Sequence, residues 1–154
     1  MELTNGRRNS SKPQQIYDFG GRKPPRDTEL EEAVLGALML EKDAYTAVCD
    51  ILKPDSFYEP ANKKIYEAIQ NLGASQRPID MLTVTEQLRQ NGTLDEVGGP
   101  VFVSELTSRV ASGANAEYHA RIVAQKYLAR ELISFAADVE KKAFDESNDV
   151  DDLL

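Results

Sequence analysis

The sequence is poor in the residues that carry most enzyme and metal chemistry. It has one cysteine, Cys49, one histidine, His119, and no tryptophan among 154 residues. A single cysteine excludes an internal disulfide, and neither residue has partners at the spacing of a metal site. His119 also has no carboxylate at helical spacing. We therefore expect Cys49 to be a buried structural thiol and His119 to have no catalytic role.

The motifs of common catalytic and metal sites are missing as well. The chain has no Gly-Lys-Ser/Thr phosphate loop, no GxSxG and no HExxH. The acidic run at 145–152 lacks the glycine and the terminal glutamate that close a calcium loop. Glu29, Glu31 and Glu32 fall in the first turn of a predicted helix, where acids favour the helix dipole. We predict a solvated face there, and neither catalysis nor a bound cofactor or metal.

Long hydrophobic runs are also absent. No apolar stretch approaches the roughly 20 residues that a membrane span needs. The first residues, MELTNGRRNSS, lack the hydrophobic segment of a signal peptide. We therefore expect a cytoplasmic protein with no membrane partner.

Basic residues are scarce outside the first part of the chain. Residues 1–26 carry six bases and two acids, a net charge of +4, which leaves −12 for the rest of a chain whose net charge is −8. An acidic body repels phosphate, so only this tail is a candidate for nucleic-acid binding. We predict that the tail is disordered, because it is polar and has few apolar residues. Its basic residues are Arg7, Arg8, Lys12, Arg22, Lys23 and Arg26.

The pattern that is present throughout is helical. From Thr28 to Val110 apolar residues recur at three- and four-residue steps, and the one β-rich run, at 101–103, is too short to need a sheet. We predict five head helices; Gly36, inside the first, indicates that another helix passes close by. The helices are predicted to begin at Thr28, which forms a capping box with Glu31, and at Asp43, Pro60, Asp80 and Pro100. The predicted ends include Leu40, Gly73 as a left-handed stop, and Gly92.

The longest helix is predicted from Asn115, its N-cap, to about Ala143, a stretch without glycine or proline. At about 1.5 Å per residue it is about 40–45 Å long, whereas a head of this size is only about 30–35 Å across. We expect its near half to pack on the head and its far half to project and need a partner. The apolar residues of its predicted face are Tyr118, Ile122, Ala129, Leu132, Ile133, Ala136, Val139 and Ala143.

Five segments follow one another along the chain: PPRDTELEEAVLGALML, DSFYEPANKKIYEAI, PIDMLTVTEQL, LDEVGGPVFVSEL and ANAEYHARIVAQKYLARELI. In this order and spacing they resemble the N-terminal domain of bacterial replicative DNA helicases, the DnaB family. The resemblance runs from about Pro24 to Leu154 and departs from the family at Ala111, where members often have proline.

This resemblance implies an all-α head at 27–112, followed at 113–154 by a long helix, the first arm of a hairpin, and the start of a second arm near Asp149. In the family this domain is non-catalytic, pairs protomers of a homohexamer through the hairpins, and binds primase. ATP and magnesium act in a separate motor domain, through which the full-length helicase works on DNA; the chain would be cut before it. The resemblance assigns protein contacts to Phe102, Ile133 and Val139, and the projecting tip adds Leu132, Phe135 and Phe144.

Two alternatives remain open at this point. One is the helicase-binding domain of a primase, which has a similar fold in the family; the order of the segments argues against it. The other is a small nucleic-acid-binding protein that acts through the basic tail.

Overall fold

The computed structural model describes residues 21–110 and 115–154. Most of the predicted tail, and Ala111, lie outside these ranges. The described residues form seven α-helices and one 3₁₀ turn and contain no strand. The helices are α1 Thr28–Leu40, α2 Ala44–Val48, α3 Pro60–Ala74, α4 Met81–Gln90, α5 Gly99–Ser108, α6 Ala116–Phe144 and α7 Val150–Leu153, with the 3₁₀ turn at Pro54–Ser56.

Helix α1 lies at the centre of the head and packs against α3, α5 and α6. Its side chains Val34, Leu35 and Leu38 are at most 1% exposed. Gly36 faces α5, and a Cβ built on it would collide with the carbonyl oxygen of Leu106 and with Cγ2 of Val110. The predicted close approach of a second helix at Gly36 is therefore confirmed.

Helix α1 runs from Thr28 to Leu40 as predicted, but the predicted capping box of Thr28 with Glu31 was wrong. Asp27, not Thr28, is the N-cap, and its Oδ1 accepts a hydrogen bond of 3.0 Å from the amide of Leu30. An aspartate cap satisfies a free amide of the first turn as well as a threonine does. Thr28 is the first helical residue, and its hydroxyl donates instead to Oε1 of Glu59 at 3.3 Å.

The other predicted boundaries had mixed outcomes. Asp80 caps α4 in a reciprocal capping box with Thr83, as predicted for the cap. Asp43 and Asn115 hold the N-cap positions of α2 and α6 without a capping hydrogen bond from their side chains. The prediction for Gly73 was wrong: it lies inside α3, where its missing side chain leaves room for the ring of Tyr45.

Helix α6 packs its first half on the head and then leaves it. Ala116, Ala120 and Val123 are the buried residues of this helix, and the helix packs against α1, α2 and the 3₁₀ turn. Tyr118 was predicted to lie on this face but is 66% exposed. Tyr118 lies two positions from both Ala116 and Ala120, which is about 200° around the helix. Its side chain therefore points away from the head. Ile122 is half-buried.

The single cysteine, Cys49, was predicted to be buried but is half-buried. Its Sγ donates to the carbonyl of Thr46 at 3.5 Å.

Among the described residues, no helix combines the length and the apolar character that crossing a membrane requires.

Candidate protein-interaction surface

The far half of α6 carries a continuous apolar stripe, which we call the distal seam: Leu128, Leu132, Phe135 and Val139. The four residues follow one another at steps of four, three and four, which is the a/d spacing of a coiled coil. Leu128, Leu132 and Phe135 are 58%, 60% and 69% exposed, and Val139 is half-buried. Because α6 buries its other side against the head, the seam faces away from the molecule's own core.

The remaining predicted contact residues lie apart from this seam. Ile133 is 36% exposed on another side of α6, and Phe144, at the end of the helix, is 81% exposed. Phe102 belongs to α5, where it is half-buried against the head core. The structure therefore brings Leu132, Phe135 and Val139 together in one stripe and leaves Ile133, Phe144 and Phe102 outside it.

Arg130 fixes the arm to the head at the point where α6 begins to project. Its Nη1 donates to the carbonyl of Pro25 at 2.7 Å, and its Nη2 donates to the carbonyl of Ser56 at 3.0 Å. The guanidinium also lies over the rings of Tyr58 and Tyr127, 5.5 and 5.7 Å from their centroids. These contacts join the segment before α1, the 3₁₀ turn and α6, so they set the position of the arm relative to the head.

A buried carboxylate lies beneath this joint. Glu31 is 1% exposed, and it accepts hydrogen bonds from the amides of Tyr58 and Glu59, at 2.8 and 3.2 Å, and from Nδ2 of Asn62 at 3.2 Å. Burial raises the pKa of Glu31, and these donors and the charge of Arg130 offset part of the rise. The prediction that Glu31 belongs to a solvated face was wrong. It is a structural acceptor that ties α1 to the start of α3.

The signals for these missed residues were present in the sequence. Glu31 lies three, four and seven positions before Val34, Leu35 and Leu38, so it shares their buried face. Arg130 lies seven residues after Val123 on the side of α6 that faces the head. Leu128 was omitted from the predicted face of α6 although it begins the seam.

These features, an all-helical head and a long projecting arm, are those of a known family. Residues 23–125 match the family described as the DnaB-like helicase N-terminal domain. The chain belongs to this family. The predicted all-α fold and the predicted resemblance are thereby confirmed, and the primase alternative is set aside.

Curated relatives of this DnaB-family domain are replicative DNA helicases. The DnaB helicase of Rhodothermus marinus is 43% identical over 153 residues, which cover 99% of this chain and 16% of that protein. The DnaC helicase of Bacillus subtilis is 39% identical over 133 residues, which cover 86% of this chain and 29% of that protein. The chain thus spans less than a third of the length of these relatives.

Solved structures agree with the family assignment. The crystal structure of the N-terminal domain of DnaB helicase from Mycobacterium tuberculosis is 37% identical, with a TM-score of 0.80 over 85% of this chain and 95% of that one. A DnaB-like replicative helicase, solved to describe its interactions with primase, is 25% identical, with a TM-score of 0.67. It is matched over 75% of this chain and 27% of that chain.

Proposed function

We propose that this chain is the part of a replicative helicase that joins protomers and receives primase. The observation that carries this proposal is the distal seam, an apolar stripe with coiled-coil spacing on a helix that projects from its own head. DNA unwinding, with its ATP and magnesium, then belongs to segments of the longer protein, and the domain acts there by holding protomers at fixed spacing in a hexameric ring.

The energetics favour a helical partner for the seam. Each large apolar side chain gains about 1.5–3 kcal/mol when it is fully buried, and Leu132 and Phe135 are both mostly exposed. Helix α7 begins at Val150 and contacts α6, so the chain turns back toward its own arm. The same arm of a second copy presents an identical seam, which satisfies the self-complementarity of a two-fold interface.

Primase is the second partner that we propose. One relative of matching fold is described by its interactions with primase, and the apolar residues outside the seam offer a separate surface. Phe144 and Ile133 remain exposed when only the seam is covered. We assign primase binding to this second set together with Phe102, and protomer association to the seam.

The association is tested with the double variant Leu132→Asp, Phe135→Asp in sedimentation velocity. Two buried charges at the centre of an apolar interface should shift the association midpoint to at least about tenfold higher protein concentration, since an unpaired buried charge costs several kcal/mol. The matched control is Leu82→Asp, Val101→Asp, which places the same charges at head residues that are 75% and 69% exposed. Circular dichroism checks that both variants remain helical.

Equal association of the two double variants would contradict the role of the seam. Titration of purified primase into the same variants and into Ile133→Asp then separates the two contacts. We expect Ile133→Asp to weaken primase binding and to leave association unchanged. If instead only the seam variant loses primase, primase binds the paired arms and the separate surface does not exist.

A further inference from the structure

The head carries an apolar groove between α4 and α5 that is used by neither of the two proposed contacts. Met81 and Leu82 line it from α4, and Pro100 and Val101 line it from α5. Its volume is about 420 Å³, within the range of about 300–1,000 Å³ that binding clefts have. Met81, Leu82 and Val101 are exposed, so three large apolar side chains meet water around one groove. The rest of the lining is Thr85, Ser104, Glu105 and Ser108.

The walls of this groove are acidic. The segment 80–108, which holds both helices and the turn between them, carries five acids and one base, a net charge of −4. A lysine of α3 pairs with one of these acids, which leaves −3. Glu105, which lines the groove, shares the guanidinium of Arg109 with Glu32, at 3.6 and 2.7 Å. An occupant that fits is therefore apolar on the side that enters the groove and basic next to it.

The tail at the start of this chain has that composition. Most of its large apolar residues gather in one cluster, and cations follow directly after it. Residues 1–26 carry a net charge of +4, opposite in sign to the groove walls, and residues 1–20 lie outside the described ranges. The cluster is Ile16, Tyr17 and Phe19, and the cations are Arg22 and Lys23, both exposed.

The tail is long enough to reach the groove of its own head. Tyr17 lies eight residues before Pro25, whose carbonyl is bound to α6, and eight extended residues span about 26–29 Å. The route from Pro25 to the groove consists of three residues, about 6 Å of α1 as far as Glu32, and the ion pair of Glu32 with Arg109. Arg109 adjoins Ser108, the last residue of α5 that lines the groove. Because tail and head are one chain, the local concentration of the tail is about millimolar, so weak contacts suffice to dock it.

We propose that the groove between α4 and α5 is the docking site for the tail of the same chain, with Tyr17 and Phe19 as the side chains that enter it. In an extended segment alternate side chains point to the same side, so the two rings enter together and Asp18 between them faces solvent. The rings cover the exposed apolar side chains of the groove, and the cations that follow lie beside its acidic walls. The predicted disorder of the tail then ends before Ile16.

The test uses the absence of tryptophan from the chain, because a tryptophan placed in the tail is then the only one. Tyr17→Trp is the reporter, and Leu3→Trp is the matched control at the far end of the same tail. A binding cleft covers about 70–90% of its ligand, so acrylamide should quench the reporter at least about threefold less than the control. The emission of the reporter should also be blue-shifted relative to that of the control.

The groove is then changed in the reporter chain by Leu82→Ser, Val101→Ser, which removes apolar surface and leaves the charge unchanged. Quenching of the reporter should rise to the level of the control tryptophan. The matched head variant is Leu40→Ser, Ala47→Ser, two exposed apolar residues outside the groove, and it should leave quenching unchanged. Circular dichroism checks the helix content of both. Phe19→Ser in the reporter chain should also raise quenching, and it alters no residue of the head.

Three results would overturn the proposal. Equal quenching of the two tryptophans would mean that the tail does not dock. Protection of the reporter that survives the groove variant would place the tail elsewhere on the molecule. Protection that is lost on dilution would mean that the tail occupies the groove of another copy. Repeating the dilution with Leu132→Asp, Phe135→Asp keeps this last result independent of protomer association through the seam.

Discussion

At the scale of single residues, the most informative side chain is Glu31, because it places an ionisable carboxylate in the core of the protein. A glutamate in a first helical turn is usually a solvated partner of the helix dipole. Here it is buried and satisfied by two amides and Asn62. Leaving those donors unpaired costs about 1–3 kcal/mol for each group, so removal of this carboxylate should weaken the joint beneath Arg130.

The raised pKa of Glu31 predicts a pH effect with a definite sign. Because the folded-state pKa lies above the ordinary value of 4.5, the folded protein retains a proton that the unfolded chain has lost. The Glu31 contribution to stability is therefore present below that ordinary value and is lost as pH rises through the raised value. Urea denaturation of the unchanged chain and of Glu31→Gln, at several pH values, measures this contribution as the difference in free energy of unfolding.

We expect that difference, unchanged chain minus variant, to fall as pH rises across this window. The control is Glu29→Gln, an exposed residue of the same first turn, which removes one charge without touching the buried donors. A difference that grows with pH would mean that the hydrogen bonds to Glu31 outweigh its burial.

At the scale of helices, the periodicity of apolar residues predicted where each helix lies and how long it is better than it predicted which side of the helix faces the core. Helix α6 was predicted from Asn115 to about Ala143 and runs from Ala116 to Phe144, because a long stretch without glycine or proline leaves few other structures. Its head-facing side was misplaced at Tyr118, since the small residues Ala116 and Ala120 carry little apolar signal. Tertiary contacts decide the face, and a single helix does not reveal them.

The same limit applies to the candidate surface. The exposure of Leu132 and Phe135 followed from the length of the helix against the size of the head. The joint at Arg130 did not, because its partners Pro25 and Ser56 lie far from it in sequence. Only the packing of α6 on the 3₁₀ turn brings them together.

The close approach of α1 and α5 gives a prediction at this scale. Ala is the better helix former than Gly by about 1 kcal/mol, but a Cβ at Gly36 would meet the backbone oxygen of Leu106, and overpacking costs about 1–3 kcal/mol. Because the collision involves a backbone atom, we place the overpacking cost in the upper part of its range, about 2–3 kcal/mol. Gly36→Ala should then lower the free energy of unfolding by about 1–2 kcal/mol in urea denaturation. Gly73→Ala is the comparison: its Cβ would meet only the Tyr45 side chain, which can turn away, so its cost should be smaller. A neutral or stabilising Gly36→Ala would show that the two helices separate easily.

At the scale of the whole molecule, net charge and apolar burial act on protomer association in opposite directions. The seam brings together two copies that each carry a net charge of −8, so long-range repulsion opposes an association that apolar burial favours. Salt screens this repulsion over a Debye length of about 10 Å at 0.1 M.

Protomer association should therefore strengthen as salt is raised. As sodium chloride is raised, screening of the like charges should lower the protein concentration at the association midpoint in sedimentation velocity. Association that weakens with salt would mean that ion pairs, not the apolar seam, hold the protomers together, because burial of Leu128, Leu132 and Phe135 carries no charge for salt to screen.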